Sequence, residues 1–326
     1  MSIKHVAVII VTYKTADLTI ECLRSIEAER KLVGSPLITV AIVDTSSEDF
    51  PSIQQVIDSS GWSDWVQISI APKNGGFAYG NNYGVKLASQ RTAPHYVHLL
   101  NPDTLVRSGA ITSLLKFLED HPDVGIAGSS FENLDGSDWP FAFRFPTIMS
   151  EIEEGFQFGL ITRLLNRWVV ARTMGKVPER VDWVPGASMM IRSSVYELLG
   201  GLDEKFFLYF EETDFCYRAK QKGFETWYVP QSRVMHIAGQ STMVTERKAD
   251  VRRLPPYWFE SRRRFFLKSY GLYYSILTDI AAVFSRSIGA IKRYLLRQSP
   301  SIPNYMTDFL RHSTLRATNR RSIDAT

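Results

Sequence analysis

A chain of 326 residues, 44% hydrophobic and 22% charged, is long enough for a substantial core and too apolar to be disordered throughout. Two cysteines exclude a disulfide scaffold, and the apolar run at residues 6–11 is too short for the core of a secretion signal. The net charge of +4 hides an asymmetry: residues 251–326 hold fourteen Lys/Arg against four Asp/Glu, so a basic end follows a mildly acidic body and suits an anionic surface, nucleic acid or membrane phosphates.

Residues 6–13, VAVIIVTY, are continuously apolar and β-rich, the pattern of a parallel strand covered on both faces. Leu18, Cys22, Leu23 and Ile26 then recur at helical spacing. LITVAIVDTSS (37–47) predicts a second strand ending at Asp44 and a Ser/Thr turn. VQISIAP (66–72) predicts a third, followed by a Gly/Asn-rich loop over 74–84. HYVHLLNPDT (95–104) predicts a fourth strand ending at Asn101-Pro102-Asp103, and residues 109–123 a helix stopped by proline. Strands alternating with helices, with polar residues gathered at strand C-termini, describe an open α/β sheet that binds ligands outside those ends. Cys22 and Cys216 lie among apolar neighbours without metal-type spacing and are expected as small core residues.

Residues 131–180 are aromatic and basic without β/α alternation, as expected of a partly helical insertion beside the site. Residues 181–201 return to strand, turn and helix, and TWYVPQSRVMHIAGQST (226–242) closes a first domain, placed at 1–245. From 257 to 297 apolar residues recur at three- and four-residue steps: Tyr273, Ile276, Leu277, Ile280, Phe284, Ile288, Ile291 and Leu295. Ser275, Asp279, Arg286, Lys292 and Arg293 fall on the other face, and Asp279 with Arg286 disfavours a membrane span. Residues 246–300 therefore read as basic amphipathic helices lying on an anionic bilayer, or else packing their apolar stripe on the catalytic domain. A polar, mobile tail is expected over 301–326.

Taken singly, the polar features at the strand ends have plain structural explanations. Asp44 could cap a helix, Asp103 could be a turn aspartate, and Tyr13 could be core. Glu211, Glu212 and Asp214 could be no more than a charged first helical turn, with Asp214 and Arg218 an i,i+4 pair. GGFAYG is no dinucleotide fingerprint, because it follows the third strand whereas the first ends in Thr-Tyr-Lys, which argues against hydride transfer. His5, His95, His98 and His121 lack a catalytic context and are expected to be structural.

In order along the chain, Val-Thr-Tyr, Val-Asp-x-Ser-Ser, Asn-x-Gly-Phe-Ala-x-Gly-Asn-Asn-x-Gly, Asn-Pro-Asp, VPGASMMIR, GGLDEKFFLYFEETDFCYRAKQKGF and HIAGQS resemble the GT-A glycosyltransferases of family 2. The likeness covers residues 5 to about 245 and is strongest to bacterial rhamnosyltransferase-type members. It implies a nucleotide-diphospho-sugar transferase fold, a Rossmann-like mixed sheet flanked by helices. It also implies an inverting, metal-dependent hexosyltransferase of cell-surface polysaccharide synthesis.

On that resemblance, Thr12, Tyr13 and Asp44 would face the nucleobase and ribose, Tyr13 with its ring against the base. Asn74, Gly76, Phe77, Asn82, Asn101, Gly186 and Ala187 would shape the rest of the nucleotide-sugar pocket. Asp103 would hold Mg²⁺ or Mn²⁺ on the diphosphate, with His236 a second ligand better suited to Mn²⁺. The base would be Glu212, with Glu211 the runner-up; Trp183 and Asp214 would lie on the acceptor side. The implied donor is dTDP-L-rhamnose, with UDP-hexose or UDP-N-acetylhexosamine as alternatives. The implied acceptor is a saccharide or polyprenyl-diphosphate-linked saccharide, met from the cytoplasmic side at the inner face of the bacterial membrane. A non-catalytic scaffold subunit of this fold and nucleic-acid binding by the basic tail are the competing classes. The second lacks a recognised motif.

Overall fold

A computed structural model describes residues 3–139, 141–237, 253–298 and 302–317 of the protein. The elements run β1 (His5–Thr12), α1 (Ala16–Arg30), β2 (Leu37–Asp44), α2 (Phe50–Ser59), β3 (Val66–Ile70), α3 (Gly76–Ser89), β4 (Tyr96–Leu100), β5 (Thr104–Val106) and α4 (Ala110–Asp120). There follow β6 (Val124–Glu132), β7 (Asp138–Trp139), β8 (Phe141–Phe143), α5 (Ile148–Phe156), α6 (Gly159–Leu164), β9 (Ala171–Thr173), β10 (Glu179–Val181), β11 (Ser188–Arg192) and α7 (Ser193–Leu198). The chain continues with α8 (Glu211–Gln221), β12 (Glu225–His236), α9 (Pro256–Leu295), α10 (Tyr305–His312) and α11 (Thr314–Ala317).

Two compact units result. The first gathers the described residues of 1–143, 173–207 and 211–243 around one mixed sheet in the order β10-β12-β6-β11-β4-β1-β2-β3, with β5 on β12 and β7 on β6. Strands β4, β1, β2 and β3 are parallel, whereas β11 runs antiparallel between β4 and β6. The apolar run of β1 is buried throughout residues 6–10, as a central strand covered on both faces must be. This is the mixed, helix-flanked α/β sheet expected from the sequence. The parallel register aligns Thr12 with Asp44 and Asp44 with Ile70, so the C-terminal strand ends share one edge.

The Gly/Asn-rich segment 74–84 is helical from Gly76 onward, not a loop. Its glycines recur every fourth residue, and a Cβ on Gly80 or Gly84 would lie 2.6 Å from Val11 or 2.5 Å from Ile9. The glycines let α3 lie directly on β1, so composition suggested a loop where packing required a smooth helical face. Cys22 and Cys216 are buried free thiols, and burial pushes both up to about 12. His98 is bonded to Ser188 Oγ at 3.0 Å and driven by burial to about 3, so it stays neutral.

The second unit takes the described residues of 144–172, 208–210 and 244–326. It contains α5, α6, α9, α10 and α11. Helix α9 is two helices merged across Gly271, whose backbone has φ 83°. Residues 305–312, expected in a mobile tail, form α10 with Phe309 buried against Phe259 and Ala282. The expected domain boundary at 245 and residues 318–326 of the expected tail lie outside the described residues.

The amphipathic reading of α9 needs a correction of sense. Ser275, Asp279, Ser285 and Arg286 are buried, while Tyr273, Leu277, Ile280, Phe284, Ile291 and Leu295 are exposed. Arg262 joins Glu151 at 2.8 Å and Asp279 at 2.7 Å, and the other Asp279 oxygen accepts from Thr314 N at 2.6 Å. Charged groups can be buried when paired and hydrogen-bonded in this way. Thus, within the second unit, it is the polar face that turns inward.

Candidate active site

All the expected site residues belong to the first unit, and they divide into those that brace the strand-end loops and those whose groups converge. Asp44 is fully buried at the end of β2. Its Oδ1 accepts from Ser46 N (2.8 Å), Ser46 Oγ (2.8 Å) and Ser47 N (3.0 Å), and its Oδ2 from Asp49 N (3.0 Å) and Phe50 N (2.9 Å). Five donors meet the carboxylate, so in this structure Asp44 holds its own turn. Thr12 is likewise committed: its hydroxyl donates to Asp49 Oδ2 at 2.6 Å, and Asp49 also accepts from Thr15 N at 3.0 Å. Tyr13 stands between them 42% exposed, its ring available to a planar ligand.

Asn82 is a strut. Its Oδ1 accepts from Tyr196 Oη at 2.5 Å and Leu202 N at 2.9 Å, and its Nδ2 donates to Leu202 O at 2.8 Å and Glu204 Oε1 at 2.9 Å. Asp214 is another: paired with Arg218 Nε at 2.7 Å, it fixes a guanidinium that donates to Leu199 O and Gly201 O. Asn82, expected to shape the pocket, braces the loop before α8 in this structure, and the i,i+4 pair expected between Asp214 and Arg218 is present. The brace Asp49 escaped notice because its partners lie 34 and 37 residues away; its place at the N-cap of α2, five residues after Asp44, was the available signal.

The other residues converge. Asn74 Oδ1 accepts from Gly76 N at 3.1 Å, and Phe77 N donates to Phe207 O at 2.9 Å, tying the start of α3 to the segment leading towards α8. Gly76 has φ +80°, and a Cβ there would lie 1.8 Å from Phe207 O. A Cβ on Gly186 would meet the Phe77 ring at 2.9 Å and stand 3.9 Å from Glu212 Cβ. The neighbouring Ala187 accepts from Asn101 N at 3.1 Å through its carbonyl. Asn101 Nδ2 lies 3.5 Å from His236 Nε2, and that nitrogen 3.4 Å from Asp103 Oδ1. One series of contacts thus runs from Glu212 through Gly186, Ala187, Asn101 and His236 to Asp103.

Asp103 and His236 fit a shared cation as a pair. A separation of 3.4 Å lets both atoms ligate one ion of about 2.1 Å bond length. Among the described residues no group of three or more His, Cys, Asp or Glu could hold a metal. Remaining ligands would have to come from substrate and water, as suits a cation that bridges phosphates. The HIAGQS motif beyond Ile237 lies outside the described residues.

The chain enters α8 through Tyr209 and Phe210, whose φ values of 70° and 67° are left-handed, a costly conformation for bulky residues. Glu211 is buried and Glu212 half-buried. Burial, and after it the Glu212 charge, holds Glu211 well above the usual carboxylate range. Burial raises Glu212 too, opposed by hydrogen bonds from its own and the Gly186 backbone N–H groups. Both carboxyls are therefore held towards their protonated forms, and the two titrate as a coupled pair. Oε2 of each has no hydrogen-bond partner among the described residues. Trp183, half-buried, stacks on Phe143 with ring centroids 4.0 Å apart and 12° between planes.

The family model described as "Glycosyltransferase like family 2" matches residues 4–253. The N-acetylglucosaminyl-diphospho-decaprenol L-rhamnosyltransferase of Mycobacterium tuberculosis is 30% identical over 150 residues, 45% of this chain and 48% of that protein. Rhamnosyltransferase WbbL of Escherichia coli K12 is 25% identical over 167 residues, 50% of this chain and 61% of that one. The chain thus spans about half the length of the curated relatives it matches. Among solved structures, the mannosyltransferase PcManGT of Pyrobaculum calidifontis, in complex with GDP-Man and Mn²⁺, superposes with a TM-score of 0.53 at 15% identity. The match covers 96% of this chain and 79% of that one.

Proposed function

We propose, for a chain that belongs to glycosyltransferase family 2, that it transfers a hexose with inversion from a nucleoside-diphosphate donor to a saccharide acceptor. The observation that carries this reading is the contact series linking the carboxylate of Glu212 at the start of α8 to the Asp103–His236 pair. Two of its relatives are rhamnosyltransferases, which supports dTDP-L-rhamnose as donor over UDP-hexose or UDP-N-acetylhexosamine. One relative's name specifies a decaprenol-diphosphate acceptor, which supports a polyprenyl-diphosphate-linked saccharide here, met at the inner face of the bacterial membrane.

In this reading Tyr13 lies against the nucleobase, and Asn74, Gly76 and Phe77 set the wall of the donor pocket. Asp103 and His236 would hold Mn²⁺ or Mg²⁺, which supplies charge neutralisation for the departing diphosphate. Glu212 accepts the proton of the acceptor hydroxyl as its oxygen bonds to the anomeric carbon; the bond from that carbon to the donor phosphate breaks, and its electron pair leaves with the nucleoside diphosphate. Burial holds Glu211 well above the usual carboxylate range, which disfavours a second negative charge beside Glu212. Trp183 stands as the acceptor-side ring.

The test is a panel of nucleotide sugars with Mn²⁺, read by thermal shift and then by transfer to a lipid-linked acceptor extract. One donor should raise Tm and be consumed; no stabilisation, transfer or donor hydrolysis across the panel would overturn the reading. Glu212→Gln should reduce turnover by about 10²–10⁴-fold while donor binding persists.

A further inference from the structure

The second half of α9, from Leu272 to Leu295, is built inside out for a helix in water. Tyr273, Leu277, Phe284 and Ile291 are 85%, 55%, 60% and 59% exposed, and all four fall within one narrow stripe at 3.6 residues per turn. The opposite stripe, fully covered, is small or polar: Ser275, Thr278, Ala282, Ser285 and Gly289, with Asp279 and Arg286 among them. Nor is this loose packing. A Cβ on Gly155 of α5 would lie 2.0 Å from Ser285 Oγ, and one on Gly289 would lie 2.3 Å from Gly155 O. Two helices meeting through small residues, with polar groups paired between them and large apolar side chains outward, follow the packing rules of helices in lipid.

Charge points to the same occupant. Between Gly271 and Gln298 the only carboxylate is Asp279, which is buried in its ion pair with Arg262, whereas Lys292, Arg293 and Arg297 cluster at the C-terminal end. Lys292 Nζ lies 4.1 Å over the Phe158 ring at the start of α6, a short helix that exposes Leu160 and Leu164 together with Arg163. Glu154, the exposed acid of α5, is held by Arg286 at 2.9 Å. The stripe is about 35 Å long at 1.5 Å per residue, yet among the described residues no helix is long and apolar enough to cross a membrane. A long apolar face edged by cations fits the plane of an anionic bilayer.

We propose that the outward face of α9 from Tyr273 to Leu295, extended by Leu160 and Leu164 of α6, is the surface by which the protein inserts shallowly into anionic lipid. The proposal rests on the reading of a lipid-linked acceptor for its purpose, since such a substrate never leaves the membrane. The partner is the headgroup–acyl boundary itself, and a second copy of the chain is the competing occupant.

The experiment uses the full chain and its triple variant Leu277→Ser/Ile280→Ser/Phe284→Ser, whose exposed positions should leave Tm within a few degrees of wild type. Co-sedimentation with phosphatidylglycerol-containing and purely phosphatidylcholine vesicles is measured alongside light scattering without lipid. The wild type should bind the anionic vesicles preferentially, and the variant's partition coefficient should fall about tenfold or more. Lys292→Gln/Arg297→Gln should remove the anionic preference. Vesicle binding unchanged in the triple variant would overturn the proposal. So would a wild-type dimer that binds no vesicles and that the same three substitutions convert to monomer. Nucleotide-sugar thermal shifts on both proteins separate the two readings: vesicle binding without any donor shift sinks the transferase and leaves the membrane face standing.

Discussion

Glu211 and Glu212 show how far two adjacent carboxyls can differ. Their side chains share a helix start and each is met by its own backbone N–H, but Glu212 also receives the N–H of Gly186, and Glu211 feels the charge Glu212 acquires. The pair therefore titrates in two macroscopic steps that belong to both carboxyls together. If Glu212 is the base, kcat/KM should rise with pH through a midpoint above the ordinary carboxylate range. Glu211→Gln should leave such a limb in place, because it removes the coupled neighbour and not the base. Loss of turnover in Glu211→Gln equal to that in Glu212→Gln would transfer the role. Stability carries the opposite sign. Between the ordinary glutamate pKa and the raised ones the folded state binds more protons than the unfolded chain, so stability falls as pH rises. Glu211→Gln should accordingly flatten this decline and raise Tm at neutral pH, which denaturant titrations at several pH values would measure. Tyr13 and Asp44 provide a second contrast. Tyr13→Ala should weaken donor binding by about 1–3 kcal/mol, as lost base stacking does, with Tm unchanged. Asp44→Asn should instead lower stability by about 1–3 kcal/mol, since it disturbs five hydrogen bonds of its own turn.

At the level of elements, the start of α3 is the joint on which the site is assembled. Gly76 adopts φ +80° so that Phe77 N can reach Phe207 O, and any side chain there collides with that carbonyl. Gly76→Ala should therefore lower both Tm and kcat, whereas Gly75→Ala, with no positive φ, would meet only the Tyr79 side chain, at 2.5 Å, and leave the Phe207 carbonyl untouched. Equal activity in Gly76→Ala and wild type would show that the joint does not hold the site. The strands were legible because apolar runs of five to eight residues ending in polar turns have few other uses. Convergence of the strand ends followed from alternation of the elements. The role of Asn82 was not legible, because its partner Leu202 lies 120 residues away; the Asp214–Arg218 pair was legible from its i,i+4 spacing, but not the loop carbonyls that take the other Arg218 donors. A residue type at a strand end or helix start predicts polarity there; it does not say whether a backbone group has already claimed it. The face of α9 was hidden for a related reason. Periodicity finds two faces, but only the small residues Gly155, Ser285 and Gly289 reveal which one another helix approaches.

For the whole molecule, the charge asymmetry of the sequence turns out to be partly internal. Arg262 and Arg286, two of the fourteen C-terminal cations, are buried against Glu151, Glu154 and Asp279, and Arg253 is paired with Asp308 at 2.6 Å. These charges are structural, and the nucleic-acid reading of the basic end loses them as phosphate contacts. Their arrangement also makes the second unit a cooperative body with its own vulnerability. Asp279 holds Arg262 with one oxygen and the N–H of Thr314 with the other, joining the two halves of α9 to the start of α11. Asp279→Ala would leave a buried guanidinium with a single carboxylate partner, Glu151, a change that costs about 3–5 kcal/mol. The loss should appear in hydrogen exchange as faster exchange of amides in α5 and α9, with protection of β1, β2 and β4 kept. Adding the donor and Mn²⁺ should raise protection at the sheet's strand ends without restoring α9. If the substitution instead loosened sheet and helices to the same degree, the two units would be one cooperative body, and the ion cluster would support the donor site as well as the helices around it.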